Sequence, residues 1–176
     1  MLLLLLLWIL ISLIVVSLVV LLSKKYGLEF LLVTIASLVI ISNILAVKVV
    51  SFGIFTASAG VIVYSMTFMI LNVIAELYDK KTAKRAILFG FYANIILVIS
   101  VLIALAWKPA PFALETSEMF AKILGLTPRI VLASMIAYLV SHYHDVWMDY
   151  LWKKVTKNKY LWLRNVLSSI PSMALD

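Results

Sequence analysis

Largely apolar runs of about 18 or more residues recur along this chain, each long enough to cross a bilayer as a helix. That feature restricts the fold more than any other. In hydrocarbon every backbone N–H and C=O has to be bonded within the protein, which leaves helices or a closed barrel, and the runs lack the alternation of barrel strands. With 65% hydrophobic and 13% charged residues, the chain does not have the composition of a soluble domain. The expected fold is all-α, a polytopic helical membrane protein with about five full spans and the start of a sixth.

The first run, Leu2 to Leu22, is uncharged and closed by Lys24 and Lys25. It lacks the basic flank and small-residue cleavage site of a signal peptide, so it reads as a retained span. Further spans are expected from about Leu28 to Val50, Val61 to Tyr78, Ala86 to Trp107 and Arg129 to Leu151. Pro109, Pro111 and Pro128 break the longer connection after the fourth, within which Phe112 to Leu124 forms a short surface helix. A last segment begins near Leu161, and its Pro171 predicts a locally broken helix. No β pattern is visible. Residues 1–25 are taken as an additional N-terminal span, and 26–176 as a transporter-like helical domain incomplete at its C-terminus.

Eleven of the fifteen Lys and Arg residues fall in the links after the first, third and fifth spans: Lys24, Lys25, Lys80, Lys81, Lys84, Arg85, Lys153, Lys154, Lys157, Lys159 and Arg164. Basic residues concentrate in cytoplasmic links, so those three links are placed in the cytoplasm and the N-terminus outside. The net charge of +7 is therefore a topology signal and not the footprint of a nucleic-acid partner. With no cysteine, disulfides and thiolate metal sites are excluded.

Charged and amide side chains inside such spans need a partner or a job, because a carboxylate at the bilayer centre costs roughly 2.5–3.5 kcal/mol on insertion scales. Asn72 and Glu76, an i, i+4 pair, face one way near the end of the third span. Glu76 marks either the water interface or a functional site. Asn43, Lys48, Asn94, His142, His144, Asp145, Asp149, Arg164 and Asn165 also lie in or at the ends of apolar segments. Tyr138, His142, Asp145 and Asp149 recur at spacings of four, three and four, which makes one stripe of the fifth helix. That stripe serves either an interhelical hydrogen-bond network or contact with substrate or proton. His142 and His144 are about 200° apart around a helix, so no metal site is expected. Trp147, two residues beyond Asp145, is expected to point away from the stripe.

The order Ser42-Asn43 with Lys48, then Asn72-x-x-x-Glu76-Leu77-Tyr78, Ala83-Lys84-Arg85, Pro128-Arg129, Ala133-Ser134, Ala137-Tyr138, Asp145-Val146 and Leu161-Trp162-Leu163-Arg164-Asn165 with Ser168-Ser169 and Asp176 resembles the queuosine precursor transporter family, also called the VUT family. The resemblance covers roughly residues 28 to 176. It implies a six-helix importer of deazaguanine precursors of queuosine, such as 7-cyano-7-deazaguanine, in a prokaryotic inner (plasma) membrane. Family members often carry Asp where this chain has Asn72, and Gly where it has Asp79.

Such a substrate suits the residues. A guanine-like ring offers adjacent N–H donors that one carboxylate accepts in parallel, and a flat face for an aromatic ring. Glu76, Asp145 and Asp176 are candidates for the first role, Tyr138 and Trp147 for the second, with Tyr138 preferred. Asn43 and Asn165 offer both donors and acceptors, Asn72 an amide beside Glu76, and Lys48 and Arg164 would balance carboxylates. Asn43, Glu76, Tyr138, His142, Asp145 and Asn165 are expected to meet in one central cavity. No cofactor is expected, and no energy-coupling ATPase is encoded, since no phosphate-binding Gly-x-x-x-x-Gly-Lys motif is present. The expected partners are the planar substrate and membrane lipid, with a homo-oligomer left open. The alternatives are a substrate-binding subunit of a larger complex and an intramembrane hydrolase built on His142 or His144 with Asp145, for which no further catalytic motif exists.

Overall fold

The computed structural model describes residues 2–52 and 55–175. Seven α-helices and one two-stranded hairpin follow in order: α1 (Leu2–Tyr26), α2 (Leu28–Leu45), β1 (Val49–Phe52), β2 (Phe55–Ser58), α3 (Gly60–Leu77), α4 (Lys80–Ala106), α5 (Leu114–Leu124), α6 (Thr127–Val155) and α7 (Leu161–Ala174). Five segments are long and apolar enough to cross a membrane, namely α1 to α4 and the stretch that contains α6.

The second span differs from expectation. Helix α2 stops at Leu45, and Val49–Phe52 pairs antiparallel with Phe55–Ser58, Val49 opposite Ser58. Valine-rich sequence after Ala46 keeps the hydropathy high, but β-branched side chains favour an extended backbone. The hairpin is sewn to the helices on both sides: Lys48 N–H donates to Leu45 O at 3.1 Å, and Ala59 N–H donates to Lys48 O at 2.7 Å. At Gly60 a Cβ would run into the carbonyl oxygen of Ser42, so only glycine lets the start of α3 approach the end of α2 this closely.

The apolar core lies between α2, α3, α4 and α6. Leu31, Ile35 and Val39 of α2 meet Ile70, Leu71 and Ile74 of α3, Ala83, Ala86 and Ile87 of α4, and Val146 of α6, all buried. Alanines on α4 let that helix pack closely, since lipid tails supply no hydrophobic drive and fit does the work. Helix α4 begins at Asp79, whose carboxylate accepts the backbone N–H of Thr82 at 2.5 Å. That bond holds the Asp79 carboxyl below its ordinary range. Helix α5 has no buried residue, in keeping with a surface helix.

Helix α7 is not broken at Pro171. It runs unbroken from Leu161 to Ala174, with serines supplying hydrogen bonds around the proline: Ser172 Oγ donates to Ser168 O at 2.6 Å, and Ser168 Oγ donates to Asn165 O at 3.2 Å. The basic links gather at the end of the bundle away from the hairpin. There Lys153 reaches Glu76, and Lys80 and Lys84 lie over the rings of Tyr150 and Tyr143.

Candidate functional site: a neutral pocket and a charged seam

The polar residues of the spans divide into two groups, where one shared cavity was expected. Near the hairpin, a cavity of about 160 Å³ is lined by Ser42, Asn43, Tyr64, Asn94, Ser134 and Tyr138 among others. Asn43 Nδ2 donates to Asn94 Oδ1 at 2.8 Å and to Val39 O at 2.9 Å, which fixes both amides. Tyr138 Oη donates to Ile87 O at 3.0 Å, a contact that exists because residue 90 has no Cβ to block the hydroxyl. None of the lining side chains carries a formal charge at neutral pH.

Behind this pocket His142 is fully buried, its ring stacked on Phe68 at 4.2 Å and tilted against Tyr138 at 4.4 Å. Its Nδ1 lies 3.0 Å from Tyr138 O, and its Nε2 lies 3.1 Å from Thr67 Oγ1, whose own hydrogen goes to Tyr64 O at 2.6 Å. His144 turns the other way and meets Ser172 Oγ at 2.8 Å. The two rings therefore serve different helices, His142 against α3 and His144 against α7.

Further along α6 lies a charged seam with α3 and α7. Ser169 Oγ donates to Asp145 Oδ1 at 3.0 Å and accepts from Asn72 Nδ2 at 2.9 Å, which joins three helices through one hydroxyl. Toward the basic end, Glu76 Oε2 lies 2.6 Å from Arg164 Nη2 and 3.0 Å from Lys153 Nζ. Arg164 also faces Asp149 at 3.6 Å and donates to Asn158 Oδ1 at 2.7 Å. Four acceptor oxygens in the seam are buried without a hydrogen-bond donor: Asn72 Oδ1, Asp145 Oδ2, Asp149 Oδ1 and Asn165 Oδ1.

Of the residues expected to meet, the structure puts Asn43 and Tyr138 in the pocket, with His142 behind them. It joins Asn72 to Asp145 through Ser169, and Glu76 to Arg164, with Asn165 on the same α7 turn. Glu76 is not at the pocket. Tyr138 and Asp149 are 11 residues apart on α6, about 16 Å along the axis, so the two groups stand at different depths. Lys48 balances no carboxylate among the described residues; because α2 ends at Leu45, it sits exposed on the link into β1. Asp176 lies outside the described residues. Trp147 is half-exposed, off the buried stripe, as its spacing predicts. Tyr64 and Thr67 were not singled out, since one hydroxyl in an apolar helix carries no signal by itself. Asn94 stood out as an amide in an apolar span, but its partner across α2 was not visible.

Residues 58–176 match the family described as "Putative vitamin uptake transporter", a stretch that takes in α3 to α7, the seam and the pocket residues from Ser58 onward. Over 170 residues the chain is 28% identical to a protein of Bacillus subtilis (strain 168) described as "Probable queuosine precursor transporter", covering 96% of this chain and 74% of that one. No solved structure matches. The family match covers well over half of the chain, including every helix of the seam and every helix of the pocket but α2: the chain belongs to this family of transporters, and is a multi-pass integral membrane protein and not an enzyme.

Proposed function

We propose that the protein imports a neutral, planar nucleobase of the 7-deazaguanine type, a queuosine precursor, across the plasma membrane as a secondary transporter or facilitator. The observation that carries this reading is the uncharged pocket of paired amides and tyrosines. A charged substrate would leave its charge uncompensated there, whereas a neutral heterocycle can exchange hydrogen bonds with Asn43 and Asn94 and lay its face on a tyrosine ring. The pocket lies at the hairpin end, opposite the basic links, which the positive-inside rule assigns to the outside. The name of the Bacillus relative supports the same class of substrate.

Uptake of radiolabelled 7-cyano-7-deazaguanine by cells lacking their own precursor transport tests the reading. Expression of this chain should raise uptake above the vector control, with competition by unlabelled 7-cyano-7-deazaguanine and little by 7-aminomethyl-7-deazaguanine, whose amine is a cation at neutral pH. No uptake despite confirmed membrane insertion would overturn the substrate assignment.

A further inference from the structure

The seam between α3, α6 and α7 is short of one positive charge. Its carboxylates are Glu76, Asp145 and Asp149, and its cations are Lys153 and Arg164. Arg164 and Lys153 answer Glu76 and Asp149, while Asp145, fully buried, meets serine hydroxyls and no cation, with Ser169 Oγ on Oδ1 and no hydrogen bond on Oδ2. Neither histidine supplies the missing charge. His142 is turned to the Tyr138 carbonyl and Thr67, and His144 to Ser172. Lys80 and Lys84 lie over tyrosine rings at the end of the bundle. A lone carboxylate at this depth is expensive, and its neighbours make the demand more specific.

Two buried N–H groups are also unbonded, Arg164 Nε, which faces Asp149 at 3.6 Å, and Trp152 Nε1, seven residues along α6 from Asp145, whereas the groups linked to Asp145 through Ser169 leave oxygens unbonded. The Asn72 side chain is almost wholly buried, and because its Nδ2 is spent on Ser169, its Oδ1 is left unbonded. Asn165, one turn before Ser169 on α7, likewise holds a buried, unbonded Oδ1. Ser168 adds a second hydroxyl against the Asp145 carboxyl. Hydrogen-bonded serines and amides that surround a single carboxylate with surplus lone pairs are the donor set of a hard cation. The charge deficit of one fixes its valence, since a divalent ion would overshoot.

We propose that Asp145, with Asn72, Asn165 and the Ser168–Ser169 hydroxyls, forms a sodium site between α3, α6 and α7. A sodium ion satisfies several orphaned oxygens at once, which a single proton on Oδ2 does not. The site rests on the transport reading only for its purpose: filled from outside and emptied to the cytoplasm, it lets a sodium gradient drive import.

The test is thermal unfolding of the purified full chain in detergent, with sodium chloride replaced stepwise by choline chloride at constant ionic strength. The wild-type protein should unfold at higher temperature as sodium rises, by ordinary linkage of an ion that binds only the folded state. In Asp145→Asn the response should vanish. If that variant does not fold, Asn165→Ala serves, and should raise the half-saturating sodium concentration at least about fivefold, through loss of one ligand. Equal unfolding temperatures in sodium and choline for the wild type, or an undiminished response in Asp145→Asn, would overturn the site. So would stabilisation by acid with no response to sodium, which would make the missing charge a proton. No substrate enters this titration, so its failure and failure of the deazaguanine reading are told apart.

Discussion

Arg164 Nη2 lies 2.6 Å from Glu76 Oε2, so the last turn of α3 is joined to the first turn of α7 by a pair whose cation is buried. Arg164 also faces Asp149, which makes it the shared partner of two carboxylates, while Glu76 retains Lys153. The two ends of this pair are therefore unequal.

Removing Arg164 should cost more than removing the Glu76 charge. In Arg164→Leu the buried Asp149 loses its cation, and the expected loss of stability is about 3–5 kcal/mol. Glu76→Gln leaves Arg164 with Asp149 and Asn158 and should cost less than half as much. Denaturant unfolding in mixed micelles measures both, and equal losses would show that the network does not depend on the arginine.

Transport should respond to the amide pair in the pocket. One neutral hydrogen bond is worth roughly 0.5–1.5 kcal/mol net, so Asn94→Ala should raise the half-saturating substrate concentration about twofold to tenfold with little change in maximal rate. Saturation kinetics of deazaguanine uptake would show it. An unaltered concentration dependence would remove Asn94 from the binding surface.

Gly90 and Tyr138 should behave as a coupled pair. A Cβ at residue 90 enters the space of the Tyr138 hydroxyl, so Gly90→Ala should cost about 1–3 kcal/mol through overpacking. Adding Tyr138→Phe removes the obstructing atom and should return part of that loss. Strict additivity of the two changes in a double-mutant cycle would count against the contact.

Orientation can be read by labelling, and the absence of native cysteine makes single-cysteine variants straightforward. A cysteine at Lys81 or Asn158 should react with an impermeant thiol reagent only after the membrane is permeabilised, and one at Lys122 of α5 should react in intact cells. The opposite pattern would invert the topology.

The spans were legible because hydropathy is a long, additive signal: α1, α3 and α6 begin and end within about four residues of expectation, while α4 begins six residues earlier, at Lys80, because its first turns are basic. The hairpin was not, because Val47 to Val50 extends the apolar run of α2 and hydropathy alone does not separate strand from helix in so short a stretch. For the site, helical spacing correctly put Tyr138, His142, Asp145 and Asp149 on one buried stripe. Spacing along one helix says nothing of depth across its neighbours, however. Which group Glu76 joined depended on where α7 crosses α3 and α6, and only the packed structure carries that. Pro171 misled for a local reason: a proline predicts a break from its missing N–H, but the helix continues through it, with Ser168 and Ser172 hydroxyls adding bonds to the carbonyls of Asn165 and Ser168 nearby.

The hairpin has a mechanical consequence. With Ala59 N–H bound to Lys48 O and Gly60 set against Ser42, the exit of α2 and the start of α3 are clamped on either side of a two-stranded ribbon. A pair of helices tied in this way would have to move as one lever. The surface on which it can turn is the face of α3 toward α6 and α7, where Asn72, Ser169, Glu76 and Arg164 exchange hydrogen bonds and charge contacts. Partners of that kind can be traded one for another as the lever tilts, whereas the interlocked aliphatic side chains on its other face would have to be pulled apart.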